Sequence, residues 1–145
     1  MKITTLTEYT PEVASRIREL LIQLSRSRKD PGEMPSSYID EIIASPYHDI
    51  IIAKLDDGMI AGIAVLSVLT NLKHKKAYLE DFVTDETIRG QGVGGKMWDF
   101  MLSWAKEKGC DELNFTSGQG REEAWKFYLN KGAEIYDTNF FKKAI

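Results

Sequence analysis

Four glycines fall within the six positions from Gly90 to Gly95, in the stretch Thr84-Asp85-Glu86-Thr87-Ile88-Arg89-Gly90-Gln91-Gly92-Val93-Gly94-Gly95-Lys96. A strand-like run, Ala77 to Val83, leads into this stretch, and a helix-like run beginning near Gly94 leads out of it. Without a Cβ, glycine adopts positive φ freely and lets a ligand or another backbone come close. The first turn of the following helix offers unpaired N–H groups at the positive end of the helix dipole. Together these features make a cradle for an anion, with phosphate the usual guest. A tight turn without a ligand is the competing reading, and it needs only one or two glycines.

The kind of phosphate ligand is narrowed by spacing. Gly90, Gly92 and Gly95 satisfy G-x-G-x-x-G, the dinucleotide fingerprint. That fingerprint follows its strand at once and is answered by an acid at the end of the next strand. Here the six residues Thr84 to Arg89 intervene, and the nearest downstream acids, Asp111 and Glu112, open the next strand instead. The P-loop pattern fails as well, because Met97, not a Ser or Thr, follows Lys96.

The remaining elements read as an alternation of strands and helices. Lys2 to Leu6 is a short strand, and Thr10 caps a helix with Pro11 in its first position. Val13, Ile17, Leu20, Leu21 and Leu24 give that helix one apolar stripe to about Ser25. Asp30-Pro31-Gly32 breaks it, and a shorter helix follows from Pro35 or Ser36 to Ala44, with Tyr38, Ile39, Ile42 and Ile43 as apolar positions. Asp49–Lys54 and Met59–Leu69 are strands joined through Asp57-Gly58, a hairpin signal. Val93, Met97, Trp98, Met101, Leu102 and Ala105 line one face of a helix that ends at Gly109. Asp111 to Thr116 reads as a strand, Arg121 to Asn130 as a helix, and two tail strands are expected near 133–136 and 139–142.

Arg89-Gly90-Gln91-Gly92-Val93-Gly94 matches R/Q-x-x-G-x-G, and the loop resembles the acetyl-CoA pyrophosphate loop of the GNAT superfamily of N-acetyltransferases. Upstream, Leu79-Glu80-Asp81-Phe82-Val83-Thr84-Asp85 is similar to that family's strand before the loop. Downstream, Ala124-Trp125-Lys126-Phe127-Tyr128-Leu129-Asn130-Lys131-Gly132 resembles its A-x-x-F-Y-x-x-x-G helix. The three blocks stand in order across roughly residues 77 to 140. The resemblance implies a mixed α/β (α+β), mostly antiparallel sheet of about six or seven strands, about four helices and a V-shaped cofactor cleft. It implies acetyl-CoA as cofactor, held by Arg89, Gly90, Gln91, Gly92, Val93, Gly94, Gly95 and Lys96, with the backbone of Phe82, Val83 and Thr84 along the pantetheine arm. Arg121 is then a phosphate contact. In relatives the connection between the first two helices borders the acceptor, which nominates Arg26, Arg28, Lys29, Met34 and Tyr38; a solvated basic loop is the other reading.

Glu80 and Asp81 interrupt an otherwise apolar strand, where a carboxylate needs a partner or a cleft. An amine must lose its proton before it attacks a thioester, and a carboxylate can take that proton. Glu80 lies nine residues before Arg89, where members of that family often carry a catalytic acid or histidine, so the resemblance implies it as the base, with Asp81 orienting or supporting. A carboxylate held structurally by backbone N–H groups is the other reading for each. Tyr128, at the family's tyrosine, is the expected acid for the departing thiolate. The acceptor is expected to be a small-molecule amine. A protein N-terminus or lysine, and a non-catalytic acyl-CoA-binding module, are the alternatives.

At 145 residues, with 43% apolar and 28% charged, the chain has the composition of one soluble globular domain spanning 1–145. A net charge of −3 argues against a nucleic-acid partner. No apolar run of 18 residues exists for a membrane span. The sole Cys110 allows no internal disulfide and points to the cytoplasm. His48 and His74 have no ligand-spaced companions, so no metal is expected. A homodimer is left open.

Overall fold

A computed structural model describes residues 1–145, and the chain falls into two compact units, Met1–Phe115 and Thr116–Ile145. The first unit holds one sheet of five strands in the order β1 (Lys2–Thr5), β2 (His48–Lys54), β3 (Ile60–Thr70), β4 (Lys75–Thr84) and β5 (Leu113–Phe115). β1 to β4 are antiparallel neighbours, and β5 joins β4 in parallel. The β2–β3 hairpin closes at Asp57-Gly58, where Gly58 N–H donates to Leu55 O at 3.0 Å.

Two faces follow from strand alternation. On one, Ile50, Ile52, Ile63 and Val83 form a core with Ile17 and Leu20 of α1 (Pro11–Leu24) and Ile39 of α2 (Ser36–Ala44). Thr10 caps α1 by accepting from Val13 N–H, as its sequence position implies. On the other face lies α3 (Val93–Glu107), with Met97 and Met101 fully buried. Burying each such side chain contributes about 1.5–3 kcal/mol. α3 approaches closely at Gly62, where a Cβ would stand 2.7 Å from Met97 Sδ and 3.1 Å from Val83 O. No helix is long and apolar enough to cross a membrane.

Three details depart from the sequence reading. Tyr38 is 65% exposed and Leu102 is 43% exposed, so neither lies on its helix's apolar face. Trp104 is buried in place of Leu102, and its Nε1 donates to Asp49 Oδ2 at 2.7 Å. The sheet has five strands, not six or seven, because the expected tail strands are absent. The second unit contains α4 (Glu122–Asn130) and no strand. Residues 133–142 therefore have no ladder partner, and strand propensity alone cannot satisfy their backbone. Tyr136, Phe140 and Phe141 are exposed there.

Candidate active site

The site is built on the second half of β4. Val65 pairs with Glu80 and Ile63 with Val83, so Ala64 alone faces both Asp81 and Phe82. This is a β-bulge, one extra residue on β4. Asp81 takes up the irregularity at φ 50, a left-handed conformation that Asp tolerates better than most residues. The bulge shifts the alternation of β4, so Glu80 and Val83 lie on the same sheet face as Val65 and Ile63. Pairing with β5 ends at Leu79, immediately before the bulge. β4 therefore runs on from Glu80 to Thr84 beyond the parallel pairing.

Glu80 and Asp81 are both solvent-exposed. Enough protein nevertheless surrounds the Asp81 carboxyl that desolvation, and secondly the neighbouring Glu80 charge, push its pKa up from the ordinary carboxylate range. Val83 is buried in the core, so only its backbone could meet a ligand.

Beyond β4, a short 3-10 turn, Glu86–Ile88, carries the chain to the glycines. Gly90 and Gly92 have φ 79 and 81, and nothing lies within 4 Å of where a Cβ would stand on either. Gly92 is the N-cap of α3, without a side-chain cap and without an acid in the helix's first turn. The N–H groups of that first turn lack intrahelical acceptors, and no local carboxylate offsets the dipole. Val93 turns its side chain into the core and presents only backbone. Arg89, Gln91 and Lys96 are exposed around the loop. This arrangement suits a phosphate group.

The acceptor-side candidates are more divided. Arg28 is held in a left-handed conformation, and its guanidinium pairs with Glu86. Met34 packs partly against the α1–α2 core, while Tyr38 is open to solvent. In the second unit, Phe127 and Tyr128 stack edge to face at 5.5 Å. Desolvation raises the Tyr128 phenol above its ordinary value, with the Arg121 charge opposing it, so the hydroxyl keeps its proton at neutral pH.

One cluster escaped the sequence reading. Asp85, 4% exposed, accepts at Oδ1 from Thr87 N–H (2.8 Å) and Thr87 Oγ1, and at Oδ2 from Arg16 Nη2 and Gln23 Nε2. These bonds, those of Thr87 foremost, hold its carboxyl well below the usual range. The available signal was Arg16 and Gln23, two polar residues seven apart beside the apolar stripe of α1.

The chain matches the family described as Acetyltransferase (GNAT) family over residues 15–132, and it belongs to that family. It is 27% identical over 73 residues to an uncharacterized N-acetyltransferase, YhdJ, of Bacillus subtilis (strain 168), covering 50% of this chain and 51% of that protein, about half its length. It is also 27% identical over 111 residues to aminoglycoside N(6')-acetyltransferase type 1 of Serratia marcescens, covering 72% of this chain and 76% of that one. Among solved structures, glucosamine-6-phosphate N-acetyltransferase from Arabidopsis thaliana superposes with a TM-score of 0.78 at 25% identity, covering 98% and 97% of the two chains. An aminoglycoside acetyltransferase, meta-AAC0020, from an uncultured soil metagenomic sample superposes at 0.82 with 21% identity, covering 99% and 96%, a likeness of fold.

Proposed function

We propose that this protein is an acetyl-CoA-dependent N-acetyltransferase that modifies a primary amine of a small molecule, both units acting as one domain. The observation that carries the reading is the bare glycine loop at the uncapped start of α3, joined by one short 3-10 turn to a bulged strand bearing two carboxylates. The family generally uses acetyl-CoA, and the open space at Gly90 and Gly92 fits a pyrophosphate against backbone N–H groups. When bound, that cofactor supplies an acetyl group activated as a thioester.

The chain's own residues do the rest. N–H groups of Gly90 to Gly95 hold the pyrophosphate, while Arg89 and Lys96 add positive charge. The backbone of Phe82, Val83 and Thr84 orients the pantetheine arm, and Arg121 contacts a phosphate. Glu80 takes the proton from the acceptor's ammonium nitrogen, leaving a nucleophilic amine. Asp81 orients that amine and, with Arg28, Met34 and Tyr38, borders the acceptor. Tyr128 Oη gives its proton to the leaving sulfur. Relatives named for aminoglycosides and for glucosamine-6-phosphate support a small-molecule acceptor.

The test is thermal unfolding with acetyl-CoA beside NAD, followed by turnover of an amine panel by thiol release. A ligand that binds only the folded state must raise the midpoint. Acetyl-CoA alone should do so, and Glu80→Gln should lower kcat by about 10²–10⁴ while leaving that shift intact. A shift with NAD alone would sink the reading. A shift with acetyl-CoA but no turnover of any amine would favour a binding module.

A further inference from the structure

The 3-10 turn that delivers the chain into the glycine loop has no fully buried residue, and of its three residues only Ile88 is half-buried. Polar contacts from α1 and the segment after it reach the start of the turn. Gln23 Oε1 accepts from Glu86 N–H at 2.9 Å, while Gln23 Nε2 donates to Asp85 Oδ2 at 3.3 Å. One amide therefore grips two consecutive residues at the start of the turn. Arg16, seven residues earlier on the same helix, donates from Nη2 to the same Asp85 oxygen and from Nε to Ile60 O at 2.8 Å. Asp85 N–H in turn donates to Ala61 O at 2.8 Å. The end of β4 is thus tied to the start of β3 without Gln23, and Asp85 already has Thr87 and Arg16 as partners. Both side-chain bonds of Gln23 go to the Asp85–Glu86 step, four to five residues ahead of Gly90. Past the end of α1, Arg28 grips the Glu86 carboxylate from outside.

We infer that Gln23 is a positioning residue for the anion-binding loop, seconded by Arg28, and that together they link the α1–α2 connection to the loop that holds the cofactor's phosphates. The cofactor half of this inference rests on the acetyl-CoA reading above; the mechanical half does not. Gln23 touches no ligand itself. It fixes where the turn starts, and the N–H groups of Gly90 to Gly95 converge on a phosphate only if that turn is held. An acceptor that orders the α1–α2 connection then also steadies the cofactor loop.

The deciding experiment compares wild type with Gln23→Met, which preserves shape and removes both hydrogen bonds, and with Arg28→Met at the exposed pair. Amide hydrogen exchange of the free proteins is read peptide by peptide, and acetyl-CoA affinity is read by calorimetry. Gln23→Met should exchange faster over residues 85–96 with the β2–β3 core unchanged. Its acetyl-CoA Kd should rise about tenfold, with kcat at saturating cofactor unaltered. Arg28→Met should shift both readouts in the same direction by less. Unchanged exchange over 85–96 in Gln23→Met would overturn the inference whatever the ligand. Faster exchange spread evenly over the whole chain would also overturn it, since Gln23 would then support only the fold. Local loosening in Gln23→Met, together with a wild-type protein that does not bind acetyl-CoA, would remove the acetyl-CoA reading and leave the grip on the turn standing.

Discussion

Gly92 shows how much a single backbone angle decides. At φ 81 it caps α3 with open space where a Cβ would stand, so an alanine there meets no atom and suffers only the left-handed strain. That strain is about 1–2 kcal/mol. Gly92→Ala is therefore expected to weaken acetyl-CoA binding, as the loop relaxes away from φ 81, while the denaturant midpoint falls modestly. Calorimetry and urea unfolding together check both halves. Asp81 is the converse case, a side-chain-bearing residue at φ 50. Asn shares Asp's tolerance of this region and Ala does not. Asp81→Asn should leave stability nearly unchanged, whereas Asp81→Ala should lose about 1 kcal/mol in urea unfolding. The glycine loop was legible because its meaning lies in local covalent chemistry. The Arg16–Asp85–Gln23 cluster was not, because its members stand 62 and 69 positions apart and meet only through the packing of α1 on β3 and β4.

Elements were legible where their period was strong. α1 runs from Pro11 and keeps the expected stripe, and the Asp57-Gly58 hairpin forms as read. Periodicity alone misjudged the rims: Leu102 lies one residue, about 100°, past Met101 and faces solvent, while Trp104 is drawn in and tied to Asp49. The β4 bulge also lay beyond pattern reading, since alternation is the very rule it breaks. Close approach between elements gives the prediction at this scale. Gly62→Ala would push a methyl to 2.7 Å from Met97 Sδ and 3.1 Å from the Val83 carbonyl. The thioether can swing aside but the backbone cannot, so a loss of about 1–3 kcal/mol is expected from overpacking, read as a lower urea midpoint at unchanged slope.

For the chain as a whole, acid should act through carboxylates that folding has paired. Arg18 forks onto both oxygens of Asp30 and, with the Gly32 N–H, brings that group down to about 2; Asp85 is depressed as well. Unfolded aspartate titrates near about 3.9, above both folded values. Their contribution is fully present above that unfolded value and is lost as pH falls towards the folded ones. The thermal midpoint should therefore hold at neutral pH and decline from about pH 4 downward, with a shallower decline in Asp85→Asn. What the sequence by itself determined was whatever depends on near neighbours: the glycine cradle, the helix caps and stripes, the hairpin, and through three ordered blocks the GNAT family. What only the tertiary structure decided was which segments find partners. The bulge at Asp81, the end of β5 pairing at Leu79, the grip of Gln23 on the Asp85–Glu86 step and the unpaired tail all depend on residues far apart in the chain. A strand or a buried carboxylate is stable only when something distant completes its hydrogen bonds, and spacing along a sequence does not contain that distance.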